Sequence, residues 1–280
     1  MGSFIGHAIP GSFFFLFGAW WIIAVLYRYH KSRSKTSVQL FRSSPAFSAV
    51  QCACGRIHIE SILGITATLI GIFVEIVAAC ILRGQPIGIG NIQHATMYFF
   101  FGLASVSNLL GPLFRRHFGE TDKMQYILLA SAMLAEGILF KFHLYGRSAL
   151  DITVHTLLLY AVWLSAAVTF GEMVYRDNVL LALGRGFFTV LQGTWFWQTG
   201  FVLYNPLPGR PWDPDNHHQL MLLACFFTWH VGVILCSVVA ISFVVAKFVN
   251  RPHQNDILVQ DISLQESEQR ASLLNDDDFD

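Results

Sequence analysis

The sequence predicts an all-α, polytopic membrane protein: a seven-transmembrane-helix bundle with its N-terminus outside or lumenal and its C-terminus cytosolic. Three observations predict it. Of 280 residues, 54% are hydrophobic and only 13% are charged, a mixture too apolar for a soluble domain of this size. Seven apolar stretches each approach the roughly 20 helical residues that a hydrocarbon core of about 30 Å requires. The basic residues, finally, gather on one side of the alternating loops.

The first stretch, 8–28, has no basic segment before it and is followed by Arg28, Lys31, Arg33 and Lys35. That is the layout of a retained anchor with an exported N-terminus. Gly2 makes no myristoylation signal, because Gly6 stands where Ser or Thr is required. Residues 30–55 are rich in Ser, Lys and Arg and read as a flexible cytosolic connector. Further stretches follow at 58–82, 92–113, 124–143, 149–175, 179–204 and 219–248, so that residues 1–250 form one transmembrane domain. Residues 251–280 are polar and acidic, end in NDDDFD and hold too few apolar residues to fold alone, a disordered cytosolic tail. Leu273 and Leu274 there form a weak dileucine signal for sorting machinery, since Gln269 stands at the usual acidic position.

The inner loops and tail of this arrangement hold Arg28, Lys31, Arg33, Lys35, Arg42, Arg56, Arg115, Arg116, Lys123, Arg176, Arg185, Lys247, Arg251 and Arg270, against Arg83, Lys141, Arg147 and Arg210 outside. Fourteen against four is a strong positive-inside bias. It also argues against nucleic-acid binding, since the positive charge is scattered between apolar spans. The five cysteines build no disulfide framework: Cys52 and Cys54 form CxC beside a span, a place for palmitoylation, and Cys80, Cys225 and Cys236 lie within apolar stretches.

Crossing direction converts sequence position into depth at about 1.5 Å per residue. Glu75, His94, Glu136, His143, Asp151, His155, Gln198 and His230 then fall in the outer half or near mid-membrane, with His7, His217 and His218 at the outer surface. Glu60, His58 and Glu172 lie at the inner interface. The hairpin Glu136–His155 is the centre of this asymmetry: Glu136 and His143 are almost two turns apart on one helix face, and Asp151 and His155 are i and i+4 on the next. Ionisable groups at such depth cost several kcal/mol unless partnered or functional.

Imidazole and carboxylate from several helices suit a divalent metal such as zinc. The candidate ligands are Glu75, His94, Glu136, His143, His155 and His230, with Asp151, Gln198 and His217 as supporting residues. A metal-activated water could attack a lipid or other amphiphile, although no catalytic residue is identified. Interhelical hydrogen bonds that fix the bundle, and a proton or ion path, are the alternatives. Trp20, Trp21 and the run Trp195–Trp197 read as packing or lipid-contact residues.

Six motifs run through the chain in order: GHAIPGSFFFLFGAWW from Gly6, HATMYFFFGLA from His94, GRSALDITVH from Gly146, LQGTWFWQTGFVLYNP from Leu191, PWDPDNHH from Pro211 and CFFTWH ending at His230. Together they resemble the transmembrane protein 45 family, a seven-helix group of poorly defined function. The resemblance implies a multi-pass protein of the endomembrane system or plasma membrane, in which Glu60, Glu75, His94, Glu136, His143, Asp151, His155, His217 and His230 fall on matching positions. Tyr145 departs from it, standing where the family carries a second histidine in an HxHGR run. Likeness to seven-helix metal hydrolases is one of architecture only, because their paired HxxxH in the last span is missing here.

Overall fold

A computed structural model of the chain describes residues 2–34, 40–47, 50–52, 55–78, 84, 86–111, 116–117, 121–209 and 211–250, with backbone alone at 50–52, 55–57, 78 and 121. Seven long helices make up its described part: α1 (Phe4–Ser32), α2 (Ile59–Phe73, continued by a π-helical turn Val74–Ala78), α3 (Ile89–Leu109), α4 (Thr121–His143), α5 (Ala149–Val174), α6 (Val179–Tyr204) and α7 (His217–Val249). Every helix except α3 is long and apolar enough to cross a membrane by length and composition. Helix α3 interrupts its apolar run with Asn91, Gln93, His94 and Asn108. The acidic tail, the dileucine pair, Lys35, Cys54, Cys80, Arg83, Arg115 and Arg210 lie outside the described residues.

The helix starts follow local chemistry. Ser3, Ser148, Asn178 and Asn216 cap α1, α5, α6 and α7, each side-chain oxygen accepting a backbone N–H of the first turn. Between α4 and α5 the chain reverses within five residues, and Gly146 supplies the positive φ of 75° that this turn needs. The up-down path places the starts of α1, α3, α5 and α7 at one end of the bundle, called here the upper end, together with the ends of α2, α4 and α6.

Helices α2 to α6 pack as sequence neighbours, α1 lies chiefly against α6, and α7 leans on α1, α5 and α6. The α1–α6 seam rests on glycines at heptad spacing, Gly11 and Gly18 against Gly186, Gly193 and Gly200. A Cβ on Gly18 would stand 2.6 Å from Val190 N, and one on Gly193 would run into the backbone of Phe15. No side chain fits between these helices at that distance. Helix α7 is peripheral and turns Met221, Trp229, Val233, Val239, Phe243 and Phe248 outward.

The connector between α1 and α2 departs from the flexible loop expected over 30–55. Ser43 is buried, its N–H donates to Arg176 O at 2.7 Å, and its hydroxyl meets Tyr126 Oη at 3.0 Å. Phe47 N donates to Glu60 Oε2 at 3.1 Å. Residues 40–47 thus plug the lower end of the bundle, because the carboxylates and guanidiniums gathered there need backbone partners. Beyond them Val50–Cys52 and Gly55–Ile57 pair as a short antiparallel ribbon, Val50 opposite Ile57.

Candidate functional site

The upper end gathers the histidines, and it does so through the α4–α5 hairpin. Arg147, in the turn, donates from Nη1 to Asp151 Oδ2 at 3.2 Å and from Nη2 to His143 Nε2 at 2.9 Å. Asp151 and His155 share one face of α5, where His155 Nδ1 lies 2.9 Å from Asp151 O and 2.8 Å from its Oδ1. Of the two, only the carbonyl has hydrogen-bond geometry.

Helices α2 and α3 supply the far side. Glu75 sits in the π-helical turn that ends α2, a local widening often found at functional sites. Its Oε2 accepts from Asn91 Nδ2 at 2.7 Å, and its Oε1 accepts from His94 Nδ1 at 3.1 Å. Next to it Gln93 Oε1 accepts from His143 Nδ1 at 2.9 Å. The imidazoles form a file: His94 to His143 is 5.3 Å between ring centroids, His143 to His155 is 6.3 Å, and His155 to His7 of α1 is 5.8 Å. His7 Nδ1 donates to Ser3 O at 2.9 Å.

One pattern runs through all four rings. Each Nδ1 faces an acceptor, respectively Glu75, Gln93, the Asp151 carbonyl and the Ser3 carbonyl. Nδ1 therefore carries the proton and Nε2 carries the lone pair. At His143 that lone pair is taken by Arg147. Among the described residues, no three side chains of His, Cys, Asp or Glu are already drawn together around one point as an ion would hold them.

An aromatic floor closes the site from below. The Phe140 ring lies 6.2 Å from His155 and 5.8 Å from Phe196, and Phe14 stacks on Phe196 at 5.7 Å. Glu136, one turn beneath Phe140, is buried on the other side of this floor, with Oε2 unpartnered. The structure therefore brings Glu75, His94, His143, Asp151 and His155 together, and leaves Glu136 outside. His230 stands with its ring 5.5 Å from Trp195, and with Gln198 it lines a separate cavity between α6 and α7. His217 is exposed at the first residue of α7. Depth carries no information about which side of a helix a residue occupies.

His7, Arg147, Gln93 and Asn91 belong to the site although the ligand pattern omitted them. His7 had the right depth and only lacked an apparent partner. A second polar centre, at the lower end, was missed altogether. Glu172 and Arg185 are fully buried there and paired at 2.7 Å between Nε and Oε2. Tyr126 Oη donates to Glu172 Oε1 at 2.8 Å, Arg185 Nη2 donates to Ser44 O at 3.0 Å, and the guanidinium covers Trp21 at 4.3 Å. Trp21 also donates to Glu60 Oε1 at 2.6 Å, so its role is polar as well as packing.

Comparison with known proteins places these features among membrane proteins. A family of unknown function, DUF716, matches residues 122–243, from the start of α4 well into α7. Transmembrane epididymal protein 1 of Rattus norvegicus is 25% identical over 275 residues, covering 92% of this chain and 85% of the relative. Transmembrane epididymal protein 1A of Mus musculus is 25% identical over 259 residues, 83% of this chain and 77% of the relative. The human protein of the first name is 29% identical over 143 residues, half of each chain. These findings correct the resemblance to the transmembrane protein 45 family: the matches are to DUF716 and to transmembrane epididymal proteins. Short aromatic and glycine motifs of membrane helices do not discriminate between such groups. The chain is an integral membrane protein of many helices, similar to proteins whose names describe a membrane and a tissue.

Proposed function

We propose that this protein crosses the membrane seven times, with its upper end on the outer or lumenal side, and that the upper cluster binds a divalent metal such as zinc. The observation that carries the metal reading is the uniform orientation of the imidazoles: every Nδ1 is held by an acceptor, which leaves the lone pair on every Nε2, at His143 facing Arg147. Ligating histidines are commonly held in just this way by carboxylates and carbonyls. His94, His143 and His155 are the ligands, Glu75, Gln93 and the Asp151 carbonyl orient them, and Arg147 occupies the His143 lone pair until the ion takes it. Three imidazoles leave a fourth position for water, the arrangement of catalytic zinc sites, and a lipid or other amphiphile is the substrate class within reach of a membrane-embedded water. In this reading Glu136 and His230 are not ligands.

The test is metal analysis of protein purified without chelator. Near-stoichiometric zinc or another ion is expected, falling at least several-fold in His143→Ala and His155→Ala variants that remain folded. Wild type that stays folded and metal-free through zinc titration would sink the reading. A specific observation favours one other, a structural role: Arg147 joins His143 to Asp151 in a hydrogen-bonded chain that is complete without an ion. That reading predicts that Arg147→Leu lowers the unfolding midpoint while the wild type takes up no metal. The orientation rests on the basic-residue bias, and tags at the two termini of the full chain, probed in intact and permeabilised cells, test it.

A further inference from the structure

The cavity between α6 and α7 has a volume of about 420 Å³ and is lined by Thr194, Gln198, Phe226, Trp229, His230 and Ile234. Its walls are mainly apolar, yet Gln198 and His230 are among the residues that line it. Among the described residues neither makes a hydrogen bond or ion pair with the protein; His230 only meets the Trp195 ring. Both are half-buried. Trp195, which His230 meets, is fully buried, and its Nε1 donates to Val154 O at 2.8 Å. The cavity opens away from the bundle, because Trp229 and Val233 on its rim are 61% and 67% exposed.

In a bilayer this mouth meets lipid rather than water, and polar groups there need a partner that the hydrocarbon does not supply. We propose that the cavity is a binding site for a sterol, whose hydroxyl is held by Gln198 and His230. Size, charge and shape argue for that class. The volume lies in the lower part of the range for compact ligands and leaves no room for the two acyl chains of a phospholipid. No Lys or Arg lines it, so it offers nothing to a phosphate or carboxylate head. Phe226 and Trp229, with ring centroids 5.4 Å apart, give its lining the aromatic surface that suits a fused-ring body. Gln198 is six residues, about 9 Å, below the upper end of α6, so the hydroxyl sits toward the membrane surface and the apolar body extends down along Thr194 and Ile234. The proposal is independent of the metal reading.

The experiment uses the full chain in nanodiscs with a photoreactive, clickable cholesterol analogue. Labelling is expected to saturate, to be competed by cholesterol but not by oleic acid, and to map by mass spectrometry to peptides containing 194–198 or 226–234. Gln198→Leu and His230→Phe keep the volume and should each weaken binding about fivefold, the worth of roughly one hydrogen bond. Val233→Trp keeps both polar groups and fills the mouth, and should abolish labelling; unfolding midpoints of all variants show that each is folded. Labelling competed equally by oleic acid, mapped to another face, or unchanged in Val233→Trp overturns the proposal.

Discussion

Arg185 Nε lies 2.7 Å from Glu172 Oε2, with both side chains fully withdrawn from the surface. Removing one partner leaves the other charge buried without compensation, which costs about 3–5 kcal/mol. Arg185→Leu and Glu172→Leu are each expected to lower the unfolding midpoint in detergent sharply. The double exchange should cost less than the two single ones added together. Single variants with the midpoint of wild type would show that the pair is structurally idle.

Tyr126 ties this pair to the connector, bonding Glu172 with its hydroxyl while Ser43 meets the same oxygen. Tyr126→Phe removes one donor from a buried carboxylate, a loss of about 1–3 kcal/mol. Limited proteolysis should then cut within 40–47 faster than in wild type. Equal rates would mean that the connector is held by Arg176 and Arg185 alone.

Gly193 meets the Phe15 backbone where α1 and α6 cross. Gly193→Val forces the helices apart and should cost on the order of 1–3 kcal/mol. Gly232 on α7 is the control, because nothing lies within 4 Å of its added Cβ; Gly232→Ala should be neutral or gain up to about 1 kcal/mol from helix propensity. The comparison is read from thermal unfolding of both variants in one detergent.

Glu75 separates the metal reading from a purely structural one. Its carboxylate accepts from His94 Nδ1, so Glu75→Ala should weaken zinc affinity about 10–100-fold in protein that stays folded. His230→Phe should leave zinc content untouched, since His230 faces the other cavity. Competition titration with a zinc indicator measures both. A drop in affinity for His230→Phe, with none for Glu75→Ala, would contradict the assignment.

Much of the helical framework was legible because its causes are local. The expected span 179–204 coincides with α6, and 149–175 with α5 to within one residue, because apolar length, Asn178, Ser148 and Gly146 act within a few residues of themselves. Other signals were present but unread. The glycine heptads that make the α1–α6 seam are visible as Gly11 and Gly18, and as Gly186, Gly193 and Gly200. Placing Glu172 at the inner interface and Arg185 in an inner loop followed from their closeness to helix ends, which does not reveal that the connector folds back to meet them.

That Glu75, His94, His143 and His155 gather at one end of the bundle was likewise readable, while partner choice was not. A hydropathy pattern sets how far along a helix a residue lies, since rise per residue is fixed. Which neighbour it meets depends on how that helix is rotated and which helix packs beside it, a contest among contacts far apart in the chain. The sequence by itself determined the helices, their caps and the concentration of histidine toward one end. Only the tertiary structure decided that His7 joins His155, that Arg147 holds His143, and that His230 turns away to a cavity of its own.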